Sequence, residues 1–167
     1  MNDMSEHKSV IAAYSGTFDP ITNGHVDVIT RAARMFEHMI VVVAQNSGKN
    51  PMFNMEERVE LCRQSLAHVP NLEVLGWDEL IVNLFEARGV TVLVRGARGV
   101  GDFEYEKQMA LMNRHLQPGI DTILLAPAPQ FTQISSSLVR EIAGHGGDLD
   151  GLVPGPVVEK IRQKQGK

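Results

Sequence analysis

The run Met39-Ile40-Val41-Val42-Val43-Ala44 is apolar at every position and dominated by β-branched residues. A strand with one wet face alternates polar and apolar side chains. A strand with no alternation is covered on both faces, as in parallel sheets packed between helices. Four shorter runs share this character: Val10 to Ala13, Leu72 to Leu75, Thr91 to Val94 and Thr122 to Leu125. Segments of helical period separate them. Val26, Ile29, Ala33 and Phe36 mark the first, and Met55, Val59, Cys62 and Leu66 the second, behind Asn54 and Glu57 in capping-box spacing. Asp78 is the expected cap of a helix to about Ala87, and Phe103 to Leu116 form another, on which Asn113 is expected to be exposed. Ser135 or Ser136 caps a helix to about Ala143, and Pro156 starts a last one through Gln163. Strict alternation with short connections predicts a Rossmann-like α/β fold: a five-stranded parallel sheet, right-handed crossovers and helices on both faces.

At 167 residues and 43% hydrophobic, the chain has material for a single domain over residues 1–167. A net charge of -4, with no basic run or basic helix face, argues against a nucleic-acid partner. The single cysteine, Cys62, falls on a helical stripe as a packed thiol and excludes an intrachain disulfide. The first nine residues are polar and expected to be disordered, and no run is long enough to cross a membrane. The expectation is a soluble, cytoplasmic protein without a membrane partner. No heptad or long exposed apolar stripe announces an interface.

Parallel sheets bind ligands at the carboxyl ends of their strands, so the loops that follow strands matter most. The first runs from Tyr14 to His25. Gly16 is expected there for its backbone freedom and for letting a ligand approach the main chain, Pro20 for a bend, and Thr22 or Asn23 as helix cap. His25 falls in the first helical turn, where unpaired N–H groups and the helix dipole favour an anion. The next such loop, Gln45 to Phe53, carries Lys49; by itself a solvated lysine, it sits at this edge. Arg95 and Arg98 flank Gly96-Ala97 and offer forked donors, or else surface ion pairs with Asp102, Glu104 or Glu106. Ser135, Ser136 and Ser137 supply more hydroxyls than one cap requires. Loops on the opposite edge, such as Pro118 to Asp121, lack this concentration of anion-binding groups. No Walker motif or GxGxxG fingerprint is present.

The stretch Thr22-Asn23-Gly24-His25, with Gly16-Thr17-Phe18-Asp19-Pro20 ahead of it, resembles the T/HxGH signature of the nucleotidylyltransferase superfamily. From Tyr14 to about Pro154 the chain further resembles the phosphopantetheine adenylyltransferase family. This rests on Pro51-Met52-Phe53 with Glu56-Glu57-Arg58, Arg95-Gly96-Ala97-Arg98 with Asp102-Phe103-Glu104-Tyr105-Glu106, Met112-Asn113-Arg114-His115-Leu116 and Ile134-Ser135-Ser136-Ser137. The resemblance implies reversible adenylyl transfer from ATP to 4′-phosphopantetheine, giving dephospho-CoA and pyrophosphate, the penultimate step of coenzyme A synthesis. It also implies Mg²⁺ carried by ATP rather than by a fixed protein site, CoA as a feedback inhibitor and a homohexamer. It puts Thr17, Lys49, Ile81, Arg95 and Tyr105 at phosphopantetheine. At ATP it puts Thr17, Phe18, His25, Gly96, Ala97, Arg98, Glu106 and the segment Phe131, Thr132, Gln133, Ile134, Ser135, Ser136, Ser137. Asn50 stands where a second lysine is frequent and Ala97 where a larger apolar residue is usual, so contacts at both are expected to be weaker.

The acceptor phosphate is already a nucleophile near neutral pH, so in-line attack requires alignment and charge stabilisation but no general base. Lys49 and Arg95 are expected to orient the acceptor, with His25 and Thr17 donating to transition-state oxygens. The alternatives are a nucleotidylyltransferase acting on nicotinate mononucleotide or glycerol phosphate, a non-catalytic nucleotide or coenzyme A sensor, and a flavodoxin-like electron carrier.

Overall fold

The structure, a computed structural model, describes residues 9–45 and 50–166; the expectation for the first nine residues therefore falls, apart from Ser9, outside the described residues. The chain runs β1 (Ile11–Gly16), α1 (Asn23–Ala33), β2 (His38–Ala44), α2 (Met55–Ser65), β3 (Leu72–Trp77), α3 (Ile81–Arg88), β4 (Val90–Gly96), α4 (Val100–Leu116), β5 (Asp121–Leu125), a 3-10 turn (Pro129–Phe131), α5 (Ser136–Gly144) and α6 (Gly155–Lys164). All strand pairs are parallel and the order is β3-β2-β1-β4-β5. The chain winds outward from β1 to β3, then crosses back to β4. Winding thus reverses between β1 and β4, and the carboxyl ends of those two strands open the crevice where such sheets take ligands.

The uninterrupted run in β2 is explained by a core on each side of the sheet. Met39, Val41 and Val43 pack with Ala12, Tyr14, Ile29, Val59 and Val157 on one face. Ile40 and Val42 pack with Ala13, Leu93 and Phe85 on the other. Each fully buried Val or Ile contributes about 1.5–3 kcal/mol, so a charged residue at Val41 or Val42 would destroy one core. Past the end of α1 the Asn71 side-chain amide satisfies the last helical carbonyl, of Ala33 at 2.8 Å, and that of Phe36 in the following turn at 3.0 Å. Cys62 is a packed thiol with no exposed surface.

Several local expectations are corrected. Tyr14 to Gly16 and Arg95-Gly96 finish strands rather than begin loops, since pairing continues to Gly16 opposite Val43 and Gly96 opposite Leu125. Asp78 does not cap α3; Leu80 holds that position, with no side-chain bond to the helix. Helix α4 begins at Val100, three residues before the expected start at Phe103. Asn113 is buried rather than exposed, because with Glu106 it forms the inner side of α4. An exposed apolar stripe does exist: Tyr105, Met109, Met112 and Leu116, spaced four, three and four residues apart, share one side of α4 and are each at least 40% exposed.

Candidate active site

Thr22 rather than Asn23 is the cap of α1, and its side-chain oxygen accepts the His25 backbone N–H at 3.3 Å. His25 completes the capping box in place of the usual Glu or Gln: its Nδ1 accepts the Thr22 backbone N–H at 3.0 Å. An N–H pointing at Nδ1 requires that nitrogen to be unprotonated. The neutral ring therefore carries its proton on Nε2, at the opposite side of the imidazole. Burial, followed by the nearby charges of Arg95 and Arg98, lowers the His25 pKa to about 4. At neutral pH the side chain is an uncharged, oriented donor.

The loop ahead of it is fixed by packing and by one buried cation. Phe18, not Gly16, has the left-handed backbone, with φ of 49°. Its ring lies edge-on to the His25 ring at 5.1 Å between centroids. Gly16 leaves space for the Phe18 ring: a Cβ there would stand 3.2 Å from it, close enough that the Phe18 side chain would have to shift. A bulky residue in this backbone region costs about 1–3 kcal/mol and is held only by what surrounds it. The surroundings include the Asp19 carboxylate, which accepts the Met52 and Phe53 N–H groups at 2.9 Å each. Arg58 donates to the carbonyls of Thr17 at 2.7 Å, Ala44 at 2.8 Å and Phe53 at 3.2 Å. It is 2% exposed, so the chain is tied to the end of β2 and the start of α2 from within.

Across the crevice, Arg95 at the end of β4 grips Glu106 with two bonds, Nε to Oε2 at 3.0 Å and Nη2 to Oε1 at 2.8 Å, and its Nη1 donates to the Ser15 carbonyl. Burial opposes its charge, but hydrogen bonding to Glu106 and the negative charge of that carboxylate hold the guanidinium above its usual range. Its guanidinium carbon stands 5.7 Å from the centre of the Tyr14 ring. Burial pushes the Tyr14 hydroxyl pKa up, so it remains a neutral hydroxyl. Arg98 binds Asp102 at 2.9 Å and donates to the Ile134 carbonyl, also at 2.9 Å. Both arginines thus take the local ion pairs their sequence offered and still border the crevice.

These groups line a cavity of about 310 Å³. One wall is polar, from His25, Arg95, Arg98 and Glu106; another is apolar, from Val28, Pro127, Phe131 and Ile134. Tyr105, Gly96, Ser135 and Ser136 also reach it. The three serines each have a protein partner: Ser135 accepts the Leu138 N–H, Ser136 donates to the Pro20 carbonyl at 2.8 Å, and Ser137 accepts from Arg140. The remaining expected residues stand outside the lining. Thr17 is exposed on the loop, Phe18 supports His25 from behind, and Ala97 bonds through its backbone to Leu125. Ile81 opens α3 and packs toward the opposite core with Trp77. Thr132, Gln133 and Ser137 flank the wall without lining it. Lys49 lies outside the described residues.

Tyr14 and Asp102 also line the cavity, and neither is among the site residues expected from the sequence. Tyr14 looks like a loop residue until pairing extends β1 beneath the cavity, whereas Asp102 was legible as the Arg98 partner four residues on. Among the described residues, no group of three or more His, Cys, Asp or Glu could hold a metal ion. The cavity's two carboxylates, Asp102 and Glu106, are each paired with an arginine. The arrangement offers cations, an oriented neutral donor and a helix N-terminus around a space for a small anionic molecule. The family model described as cytidylyltransferase-like matches residues 13–142, from β1 into α5.

Proposed function

The chain belongs to the cytidylyltransferase-like family and is a nucleotidyltransferase, and from that premise we propose that it transfers the adenylyl group of ATP reversibly to 4′-phosphopantetheine. The products are dephospho-CoA and pyrophosphate, which would make the reaction the penultimate step of coenzyme A synthesis. The observation that carries the proposal is the pinned His25 ring, whose Nδ1 is committed to Thr22 and whose Nε2–H is left as a donor beside Arg95 and Arg98. Thr22 at the first position of the signature and the block from Arg95 to Glu106 favour phosphopantetheine over nicotinate mononucleotide or glycerol phosphate. A non-catalytic sensor would not need the oriented donor.

In this reading an oxygen of the acceptor phosphate attacks the α-phosphorus of ATP, the bond from that phosphorus to the β-phosphate oxygen breaks, and pyrophosphate leaves with the electron pair. His25 Nε2–H and Thr17 donate to the oxygens of the five-coordinate transition state; Arg95 and Lys49 orient the acceptor, with Ile81 and Tyr105 along its arm. Phe18, Gly96, Ala97, Arg98, Glu106 and the segment from Phe131 to Ser137 serve the nucleotide. Because the cavity carboxylates are both paired, the chain's own residues do not suit a resident Mg²⁺; the ion would enter on the triphosphate. CoA is proposed as a feedback ligand of the same cavity. The exposed stripe on α4 supports assembly of copies of the chain, for which a hexamer is proposed.

Pyrophosphate release measured with ATP or CTP against 4′-phosphopantetheine, nicotinate mononucleotide and glycerol phosphate tests the reading. The expected result is release with ATP and phosphopantetheine alone. Faster release with CTP, or with another acceptor, would assign the chain to a different transfer.

A further inference from the structure

Beside His25 and Val28, α1 carries two residues that reach across to the chain after β5. The Asp27 carboxylate accepts the Ala128 backbone N–H at 2.9 Å and two N–H groups of Arg31, at 3.0 and 3.3 Å. Arg31 Nη2 also donates to the Ala126 carbonyl. The pair therefore holds the backbone on both sides of Pro127, a buried residue that lines the cavity. The fastening continues along the wall: the Ala128 carbonyl accepts the Phe131 N–H at 2.9 Å, and the Phe131 carbonyl accepts the Ile134 N–H at 3.1 Å. At the far end, Arg98 holds the Ile134 carbonyl. Pro127, Phe131 and Ile134 line the cavity together with the two arginines, and the apolar wall is tied to α1 at one end and to the loop after β4 at the other.

An exposed pair four residues apart on a helix ordinarily contributes little. Asp27 differs because its side chain is 16% exposed and binds a backbone group 101 residues further along the chain. Removing that carboxylate leaves the Ala128 N–H without its acceptor and frees the start of the wall while His25, Arg95 and Arg98 keep their own partners. We propose that Asp27, acting with Arg31, is a positioning residue for the nucleotide: it sets the spacing between α1 and the Pro127 to Ile134 wall, and hence nucleotide affinity, without touching substrate. This rests on the nucleotidyl-transfer reading above.

The test uses the full chain and reads KM for each substrate, kcat and melting temperature. Asp27→Ala is expected to raise the KM for ATP about tenfold, with the KM for 4′-phosphopantetheine within about twofold and kcat within about threefold. Asp27→Asn, which keeps an oxygen for the Ala128 N–H, is expected to recover most of the loss. An unchanged KM for ATP with only a lower melting temperature would make the pair purely structural and overturn the proposal, as would an equal rise in both KM values. Calorimetric titration with ATP alone separates this idea from the choice of acceptor. If the parent binds ATP but does not use phosphopantetheine, the acceptor assignment falls, and Asp27 is decided by titration: roughly tenfold weaker binding in Asp27→Ala supports it, and equal binding overturns it. A parent that binds neither ATP nor CTP overturns both.

Discussion

His25 closes the capping box of α1 through Nδ1, and the proposed function gives its Nε2–H a second use as donor to the transition state. Its removal should therefore register in both stability and rate. His25→Ala is expected to lose the cap, about 1 kcal/mol, and at least about a hundredfold in single-turnover rate, while ATP binds within about tenfold of the parent. His25→Glu restores the capping box and should recover the melting temperature while leaving the rate as low as in His25→Ala. Parental turnover by either variant would remove His25 from the chemistry. The lowered pKa sets the pH behaviour. Between the ordinary value of 6.5 and the folded value of about 4, the unfolded chain binds a proton that the folded chain refuses. Through this group, stability is fully present above pH 6.5 and is lost as pH falls toward 4, by up to about 1.4 kcal/mol per unit. Ring NMR should show no His25 titration above about pH 5.5; a midpoint near 6.5 would refute the neutral ring with a lowered pKa. That a histidine stood at an anion-binding turn was legible from Gly24 and the cap ahead of it. The identity of the left-handed residue was not. Sequence points to Gly16 for backbone freedom, whereas Phe18 takes that conformation because packing against His25 and the Asp19 bonds hold it there.

Caps built on a polar side chain at the expected spacing were readable, and the start of α3, which has no such side chain at its cap position, was not. Asn54 with Glu57, and Ser135, satisfy the first N–H groups of α2 and α5 within three residues, so sequence spacing suffices. At α3 the Trp77 indole donates to the Leu80 carbonyl at 3.2 Å, and the helix starts beyond Asp78. Its first turn therefore has no side-chain cap, and Leu80 is 54% exposed. Leu80→Asp should add about 0.5–1 kcal/mol of stability, read as a higher midpoint in urea unfolding with an unchanged slope. A lower midpoint would mean that the leucine contributes more through packing than a cap can return. The extension of β1 and β4 past their apolar runs was equally hidden, because Ser15, Gly16, Arg95 and Gly96 are not strand formers by composition. They are held in the sheet by neighbours in β2 and β5.

At the scale of the molecule, the parallel five-stranded sheet was legible because burial on both faces leaves an uninterrupted apolar run that a half-wet strand cannot have. The α4 stripe was missed although its four-three-four spacing is in the sequence; its outward direction becomes visible only once Glu106 and Asn113 define the inner side. A lone chain would leave Tyr105, Met109, Met112 and Leu116 in water, which supports the proposed hexamer. Light scattering at micromolar protein is expected near six times 18.4 kDa, and Met112→Glu is expected to give smaller species at an unchanged far-ultraviolet spectrum. A monomeric parent would dismiss the hexamer, and an undisturbed variant would move the contact off this stripe. The buried Cys62 has a consequence of another kind. Burial pushes its thiol up to about 12, so the folded chain is unreactive toward maleimides under ordinary conditions. Gly119, in the turn between α4 and β5 at the sheet end opposite the cavity, has open space where a side chain would stand. A cysteine introduced there would be the sole reactive handle, so that one fluorophore per chain could report on subunit exchange during turnover while leaving the crevice unmodified.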